Sequence, residues 1–328
     1  MIHADAPYVA LTIAGSDSSG GAGIQADLKS FAAFGVHGAS VVTAVTAQNT
    51  TSVNDIHTLP LSSIEAQLDA VFSDMPVRAI KIGMIGSATI ASLVARFIKQ
   101  ANVELVVVDT PLMSGTGAAL GDELVRSAIV EHLFPLAHII TPNLHEAALL
   151  LDEAPLSFED FYSADVTKRI LFEKVIAGFE AQAQKLLALG PRSVLLKGGH
   201  FYDLVSNAES DVPQITERKA IDVFYEGAAL EDIVLEGIVS EDGVSEDTGS
   251  KVFVSDWVDV VHHHGTGCAL ASAIAANLIY GKDAGKSDKW AVESARNWLQ
   301  ECLKVSHAMS VGKGAGPLNI ANLRKIDL

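Results

Sequence analysis

Short apolar runs alternate along the chain with longer stretches in which apolar residues recur at helical spacing. The apolar runs predict β-strands and are YVALTIAG (8–15), ASVVTAVTAQN (39–49), AIKIGM (79–84), VELVVVD (103–109), AHIITPN (137–143) and SVLLKGG (193–199). The helical stretches include residues 64–75, 89–100 and 179–190. This alternation predicts an α/β fold with a mostly parallel central sheet and helices on both faces.

The segment 227–250 breaks this pattern because it contains repeated Glu and Asp but no Lys or Arg. We interpret it as an acidic surface insertion between two strands at 220–227 and 251–261, with an acidic partner-binding loop as the alternative. Neither an internal repeat nor a Pro/Gly/Ser-rich linker marks a domain boundary. A single domain over residues 1–328 is therefore predicted.

Composition narrows the class of protein. The net charge of −17 argues against nonspecific binding to nucleic acid. The apolar runs are shorter than the ~20 residues of a membrane span, and residues 1–7 lack the pattern of a signal peptide. Cys268 and Cys302 form no CxxC motif, so neither a disulfide framework nor a zinc site is indicated. We expect a soluble cytoplasmic protein without nucleic-acid or membrane partners.

Glycine and short polar residues follow each predicted strand, at the sheet edge where parallel α/β folds bind ligands. These residues are Gly15–Gly23 (GSDSSGGAG), Gln48-Asn49-Thr50, Gly83-Met84, Asp109, Asn143 with Glu146, and Lys197-Gly198-Gly199. A ligand cleft explains all six together. The first segment lacks the lysine of a Walker loop, and the second strand ends in Gln48 instead of the acid of a dinucleotide site.

The segment HHHGTGCALASAIAANLIYG (262–281) could hold a metal, a nucleophile or an anion. Consecutive histidines in an extended chain point to opposite sides, so a shared zinc ion is disfavoured. Gly265-Thr266-Gly267 before a buried helix from Cys268 to Tyr280 predicts an anion hole at a helix N-terminus. A glycine turn that caps a core helix is the alternative.

Cys268 falls in the first turn of this helix, where the helix dipole lowers the pKa of a thiol. We predict that it acts as the base that accepts a hydroxyl proton during phosphoryl transfer, and the alternative is a small core residue. Lys197 ends a strand beside two glycines and is a candidate to reach phosphates, and the alternative is a surface lysine at a turn. Asp109, Asn143 and Glu146 offer oxygen ligands suited to Mg²⁺, although Asn143 and Glu146 also match a helix capping box.

Several segments resemble the hydroxymethylpyrimidine and phosphomethylpyrimidine kinases of thiamine biosynthesis, which belong to the ribokinase-like superfamily. They are residues 15–50, KIGMIG (81–86), ITPNLHEAALL (140–150), LLKGGH (195–200), HGTGC (264–268) and VGKGAGPL (311–318). The resemblance implies a ribokinase-like three-layer fold. It also implies ATP- and Mg²⁺-dependent phosphorylation of 4-amino-5-hydroxymethyl-2-methylpyrimidine, then of its monophosphate to the pyrophosphate, by a homodimer.

The resemblance also implies roles for individual residues. Gln48 and Asp27 would hydrogen-bond the aminopyrimidine, and Ala22 and Met84 would line its pocket. Gly265, Thr266, Gly267 and Cys268 would form the anion hole and the base. Lys197 and Thr266 would contact ATP. Asp109, Asn143 and Glu146 would organise the metal.

One segment departs from the family pattern. The family reads close to DPVMVAKSG where this chain has DTPLMSGTG (109–117), so the usual lysine is absent and Gly115 or Thr116 stands nearby. Lys313 is a candidate to replace that lysine at a phosphate. Two alternatives remain open: a pyridoxal or pyridoxine kinase of the same subfamily, and a noncatalytic heterocycle-binding protein.

Overall fold

The structure is a computed structural model that describes residues 7–111, 121–157, 160–161, 168–199, 219–227, 250–259, 264–306 and 311–320. The chain divides into two compact units. Unit 1 comprises residues 1–141 and 258–328, and unit 2 comprises residues 142–257. Most of the predicted acidic insertion, Gly115 and Thr116 lie outside the described residues, as do His262 and His263.

Unit 1 contains a sheet whose strand order is β3-β2-β1-β4-β5-β6. The strands are β1 Val9–Asp17, β2 His37–Gln48, β3 Val53–Thr58, β4 Val77–Ile82, β5 Leu105–Val108 and β6 Ile139–Ile140. All neighbours pair in parallel except β3, which is antiparallel to β2. Strands β1, β4 and β5 are buried along most of their length, as expected for parallel strands covered on both faces.

The α-helices in chain order are α1 Gly23–Ala33, α2 Leu61–Asp74, α3 Ala88–Ala101, α4 Glu123–Ala128, α5 Leu144–Leu151, α6 Lys168–Leu187, α7 Thr266–Asp283 and α8 Asp288–Ser306. A π-helical turn (Ile129–Leu133) and a 3-10 turn (Phe134–Leu136) follow α4. In unit 1, α7 is buried on nearly all sides and contacts α1, α8, β4 and β5. Its many alanines permit these close approaches. Among the described residues, no helix combines the length and apolarity needed to cross a membrane.

Unit 2 contains α5, α6 and the strands β7 Ser193–Lys197, β8 Lys219–Glu226 and β9 Ser250–Asp256. Strand β8 pairs antiparallel with both β7 and β9, and α6 packs on β7 and β8. The predicted α/β class with a mostly parallel sheet is confirmed, the parallel part lying in unit 1. The sequence pattern did not predict β3, because its residues are mostly exposed and carry no apolar alternation.

Candidate active site

Two glycine-containing segments of unit 1, residues 15–23 and 264–268, pack backbone against backbone. Gly265 has φ 87°, and a Cβ there would overlap the carbonyl oxygen of Gly21. A Cβ on Gly21 would in turn overlap the ring of His264. Position 265 therefore requires glycine, and a larger residue at position 21 would displace the ring of His264. The contact brings the start of α7 against the segment that follows β1, so the predicted anion hole lies beside the predicted ligand loop.

The carboxylate of Asp17 organises this loop. It accepts hydrogen bonds from the backbone N–H groups of Ser19 (2.8 Å), Gly21 (3.1 Å) and Ala22 (2.8 Å). Burial acts to raise the pKa of Asp17, but hydrogen bonds from His264, Ser19 and Ala22 outweigh it, so the pKa lies below its usual value. Sequence reasoning did not select Asp17, although an Asp before Ser and Gly residues is a turn signal that could have identified it.

Gln48 lies at the end of β2, and Ser18 fixes its backbone. The N–H of Gln48 donates to Ser18 Oγ at 2.9 Å, and the same hydroxyl donates to the carbonyl of Gln48 at 2.7 Å. The side-chain amide of Gln48 lies 3.0 Å from His264 Nε2. The same ring nitrogen lies 3.0 Å from Asp17 Oδ2, so these three side chains converge.

Ala22 and Met84 are partly exposed and lie at the same loop. The Cα of Ala22 is close to Gly265, and the sulfur of Met84 lies 3.1 Å from where a Cβ on Gly15 would stand. Thr43 Oγ1 donates to the carbonyl of Met84 at 2.6 Å and holds it there. The structure thus brings Ala22, Gln48 and Met84 to the loop, and their contact with a substrate stays a prediction.

Asp27 is in a different environment, because its side chain has no exposed surface. Its carboxylate accepts hydrogen bonds from Thr12 Oγ1 (2.6 Å) and Ser272 Oγ (2.8 Å). Its Oδ1 lies 2.9 Å from the Nζ of Lys81. Protein groups in the interior thus contact both oxygens of Asp27, and its hydrogen bond with a substrate stays a prediction.

Lys81 is a buried cation that sequence reasoning missed. Burial alone would lower its pKa, but the carboxylate of Asp27 raises the pKa above its usual value, and Cys268 and Asp109 act in the same direction. Lys81 therefore keeps its charge and acts electrostatically on Asp27 and Cys268. A lysine inside the apolar strand AIKIGM was the available signal, because lysine is almost never fully buried without a partner.

Cys268 lies in the first turn of α7 and is partly exposed, as are Gly265, Thr266 and Gly267. Burial of the thiol raises its pKa to about 11, Lys81 lowers the pKa, and Asp27 and Asp109 raise it. The prediction of a lowered pKa was therefore wrong, because desolvation together with Asp27 and Asp109 outweighs Lys81. The N–H of Gly23 donates a hydrogen bond to the sulfur.

Asp109 and Lys313 lie elsewhere in unit 1. Asp109 follows β5 and is almost fully buried, and Thr141 Oγ1 donates to its Oδ1 at 3.1 Å. Lys313 is exposed, and its backbone N–H donates to Thr50 Oγ1 at 3.2 Å, which ties the C-terminal segment 311–320 to the turn after β2. Contact of Lys313 with a phosphate stays a prediction.

In unit 2, Asn143 and Glu146 form the capping box of α5. Asn143 Oδ1 accepts from the N–H of Glu146, and Glu146 Oε2 accepts from the N–H of Asn143, both at 2.9 Å. The capping interpretation is confirmed, and a metal role stays a prediction. The N–H of Lys197 donates to the carbonyl of Pro142 at 2.9 Å, which fixes the end of β7 beside Asn143.

Comparison with known proteins gives the family. The family model for phosphomethylpyrimidine kinase matches residues 17–319. The hydroxymethylpyrimidine/phosphomethylpyrimidine kinase of Rhizobium meliloti is 37% identical and covers 95% of this chain and 96% of its own length.

Solved structures agree. The phosphomethylpyrimidine kinase of Clostridium difficile superposes with a TM-score of 0.62 at 34% identity, over 90% of this chain and 98% of its own. The pyridoxal kinase of Staphylococcus aureus in complex with AMP-PCP and pyridoxal superposes with a TM-score of 0.71 at 28% identity. The match covers 98% of this chain and 96% of the pyridoxal kinase chain. This chain therefore belongs to the phosphomethylpyrimidine kinase family and is a phosphotransferase.

Proposed function

We propose that this protein transfers the γ-phosphoryl group of ATP to the hydroxymethyl oxygen of 4-amino-5-hydroxymethyl-2-methylpyrimidine, and then phosphorylates the monophosphate to the pyrophosphate. The observation that carries the proposal is the contact between Gly21 and Gly265. It brings the N-terminus of α7 to the loop beside which Gln48 and Met84 lie. The R. meliloti relative, which this chain matches over 96% of its length, is named hydroxymethylpyrimidine/phosphomethylpyrimidine kinase.

In the proposed reaction, the hydroxyl oxygen forms a bond to the γ-phosphorus while the bond from that phosphorus to the ADP oxygen breaks. The hydroxyl proton passes to the sulfur of Cys268 when the thiol is ionised. Backbone N–H groups at Gly265, Thr266 and Gly267 stabilise charge that develops on the transferred group. Gln48 binds the heterocycle, with Ala22 and Met84 as apolar walls.

Phosphate and metal contacts complete the proposal. Lys197, Thr266 and Lys313 are proposed to contact phosphates of ATP or of the monophosphate. Asp109, and separately Asn143 and Glu146, are proposed as oxygen donors for Mg²⁺, the hard ligands that this ion prefers. Bound Mg²⁺ would neutralise phosphate charge. A cytoplasmic location and a homodimer are part of the proposal.

Pyridoxal is the second candidate substrate, because the pyridoxal kinase of S. aureus matches the fold over nearly the whole chain. One competition experiment separates the two. Purified protein is incubated with Mg-ATP and equimolar hydroxymethylpyrimidine and pyridoxal, and products are identified by mass spectrometry. Pyrimidine monophosphate that advances to pyrophosphate supports the proposal. If pyridoxal phosphate is the main product, pyridoxal replaces hydroxymethylpyrimidine as the proposed substrate. The absence of any phosphorylated product would contradict both assignments.

A further inference from the structure

One ring nitrogen of His264 has two polar neighbours at the same distance. His264 Nε2 lies 3.0 Å from Asp17 Oδ2 and 3.0 Å from the side-chain amide of Gln48. The side chains of His264 and Asp17 are only 12% and 4% exposed, so water does not readily replace either contact. A ring nitrogen either donates or accepts a hydrogen bond. Both contacts are therefore favourable only if both neighbouring atoms are acceptors or both are donors.

Asp17 determines whether His264 Nε2 donates or accepts. Its carboxylate already accepts N–H groups from Ser19, Gly21 and Ala22, and such bonds favour the ionised form. An ionised carboxylate has no proton to donate. His264 Nε2 must therefore carry the hydrogen of this pair. This conclusion holds for the neutral ring with its proton on Nε2 and for the doubly protonated ring.

The orientation of the Gln48 amide follows from the protonated nitrogen. The nitrogen and oxygen of a side-chain amide have nearly the same size, so the surrounding hydrogen bonds decide which atom faces His264. A donor at Nε2 requires the amide oxygen of Gln48 on that side. The structure has Gln48 Nε2 toward His264 and Gln48 Oε1 3.4 Å from Thr46 Oγ1, so the amide is to be turned by 180°. The NH₂ group then lies on the side of Thr46.

Thr46 supports the same orientation. Its Oγ1 lies 3.1 Å from the carbonyl oxygen of Ser16, and a hydroxyl has one hydrogen to donate. If that hydrogen goes to Ser16, the hydroxyl oxygen can accept from the NH₂ of Gln48. In the opposite orientation, two acceptors would compete for the hydroxyl hydrogen, and two donors would meet at His264.

We propose that Asp17 and His264 are positioning residues that orient the Gln48 amide, so that it presents an N–H donor to the bound heterocycle. The ligand part of this inference rests on the proposed function. One N–H of the amide faces Thr46, and the other remains for a ring nitrogen that accepts a hydrogen bond. The pair thereby selects heterocycles with an acceptor nitrogen at that position.

The protonation of His264 tests the inference without any substrate. Ligand-free protein labelled with ¹⁵N-histidine is examined by long-range ¹H–¹⁵N correlation NMR near pH 8, and the His264→Gln variant identifies the His264 signals. We expect hydrogen on Nε2. Hydrogen on Nδ1 alone would overturn the inference, and neither result depends on whether the proposed substrate is correct.

Kinetics of two variants test the effect on the heterocycle. His264→Gln keeps an N–H donor toward Asp17, and His264→Phe keeps the ring shape beside Gly21 but removes the donor. We expect His264→Phe to raise KM for the heterocycle about tenfold, the size of one lost hydrogen bond. KM for ATP should change less than about twofold, and His264→Gln should recover most of the loss.

The control is His37→Gln, on an exposed residue at the start of β2. It should behave like the unmodified protein. Equal increases in both KM values for His264→Phe, or equal damage by Gln and Phe, would assign His264 a purely structural role and contradict the inference. If pyridoxal is the substrate found, the same measurements are made with pyridoxal.

Discussion

Lys81 Nζ lies 2.9 Å from Asp27 Oδ1, and neither side chain has any exposed surface. The pair joins β4 to α1, and Ser272 extends the connection to α7 through its hydrogen bond to Asp27. Ala22, Met84 and Cys268 of the candidate site lie in or next to these three elements. Because buried charges are costly unless they are paired, the position of each element depends on the other two.

Replacement of Lys81 by Met should lower the free energy of unfolding by about 3–5 kcal/mol, because it leaves the carboxylate of Asp27 buried without its counter-charge. The double variant Lys81→Met, Asp27→Asn removes both charges and should lose less than the sum of the single variants. Urea denaturation of all variants measures the difference. Lys99→Met, on an exposed lysine of α3, is the control and should change stability by less than about 0.5 kcal/mol. A similar small effect for Lys81→Met would contradict a buried charged pair.

The pKa of about 11 at Cys268 predicts the direction of the pH dependence. Below this pKa the thiolate fraction falls tenfold for each pH unit. If Cys268 is the base, kcat/KM should therefore rise about tenfold per unit between pH 7 and 9. Cys268→Ser should lose this rise and about 100-fold or more of the activity.

Cys302 provides the matched control for this profile. It is fully buried in α8, and burial raises its pKa to about 12. Cys302→Ser should lower stability but leave the shape of the pH profile unchanged. A profile that Cys268→Ser does not alter would argue against a role of Cys268 as base.

Gly265→Ala tests the contact between the two glycine segments. Ala at this position combines a positive φ, which costs about 1–2 kcal/mol, with overlap of Cβ and the Gly21 carbonyl. Gly285→Ala is the control, since it has φ 64° but no atom near the added Cβ. We expect Gly285→Ala to lower the melting temperature slightly and to keep full activity. Gly265→Ala should lose both more stability and most of the activity. Equal effects in the two variants would mean that the contact is unimportant.

Glu146 allows the helix cap and the proposed metal role to be separated. Gln can replace Glu in a capping box, so Glu146→Gln should keep stability within about 0.5 kcal/mol while it loses the charge. If Glu146 helps to bind Mg²⁺, the Mg²⁺ concentration for half-maximal activity should rise about tenfold. Magnesium titrations at fixed ATP measure this. Glu146→Ala removes the cap as well and should cost about 0.5–2 kcal/mol. An unchanged titration for Glu146→Gln would leave only the capping role.

The sequence predicted the buried strands of the sheet well because each is a short apolar run, as in VELVVVD (103–109), which contains β5, whereas the mostly exposed β3 was missed. The close contact at Gly265 could be anticipated because two glycines, Gly265 and Gly267, stand at the start of a helix, and glycine permits a close backbone approach. The early start of α6 at Lys168 was not predicted, because its first ten residues carry charged side chains among apolar ones. Local patterns thus identified buried segments more reliably than exposed ones.

The electrostatic properties of the site could not be predicted in the same way. Whether Cys268 is a thiolate depends on how much water the folded protein removes from the sulfur, and on charges at Lys81, Asp27 and Asp109. These residues are far apart in sequence. The partners of Lys81 and the convergence of Asp17 with His264 also depend on long-range packing, which no local pattern records.

The candidate site combines loops from opposite ends of the chain. Unit 1 is discontinuous, and Gly21 meets Gly265 only when the segment after residue 258 is present. During synthesis, β1 to β6 therefore leave the ribosome well before α7 and α8, and the apolar surface that these helices will cover stays exposed in the meantime. Because such long-range contacts form late, the nascent protein passes through a stage at which it is prone to aggregation and has no catalytic site. We therefore expect chaperone dependence to be greatest before α7 has emerged.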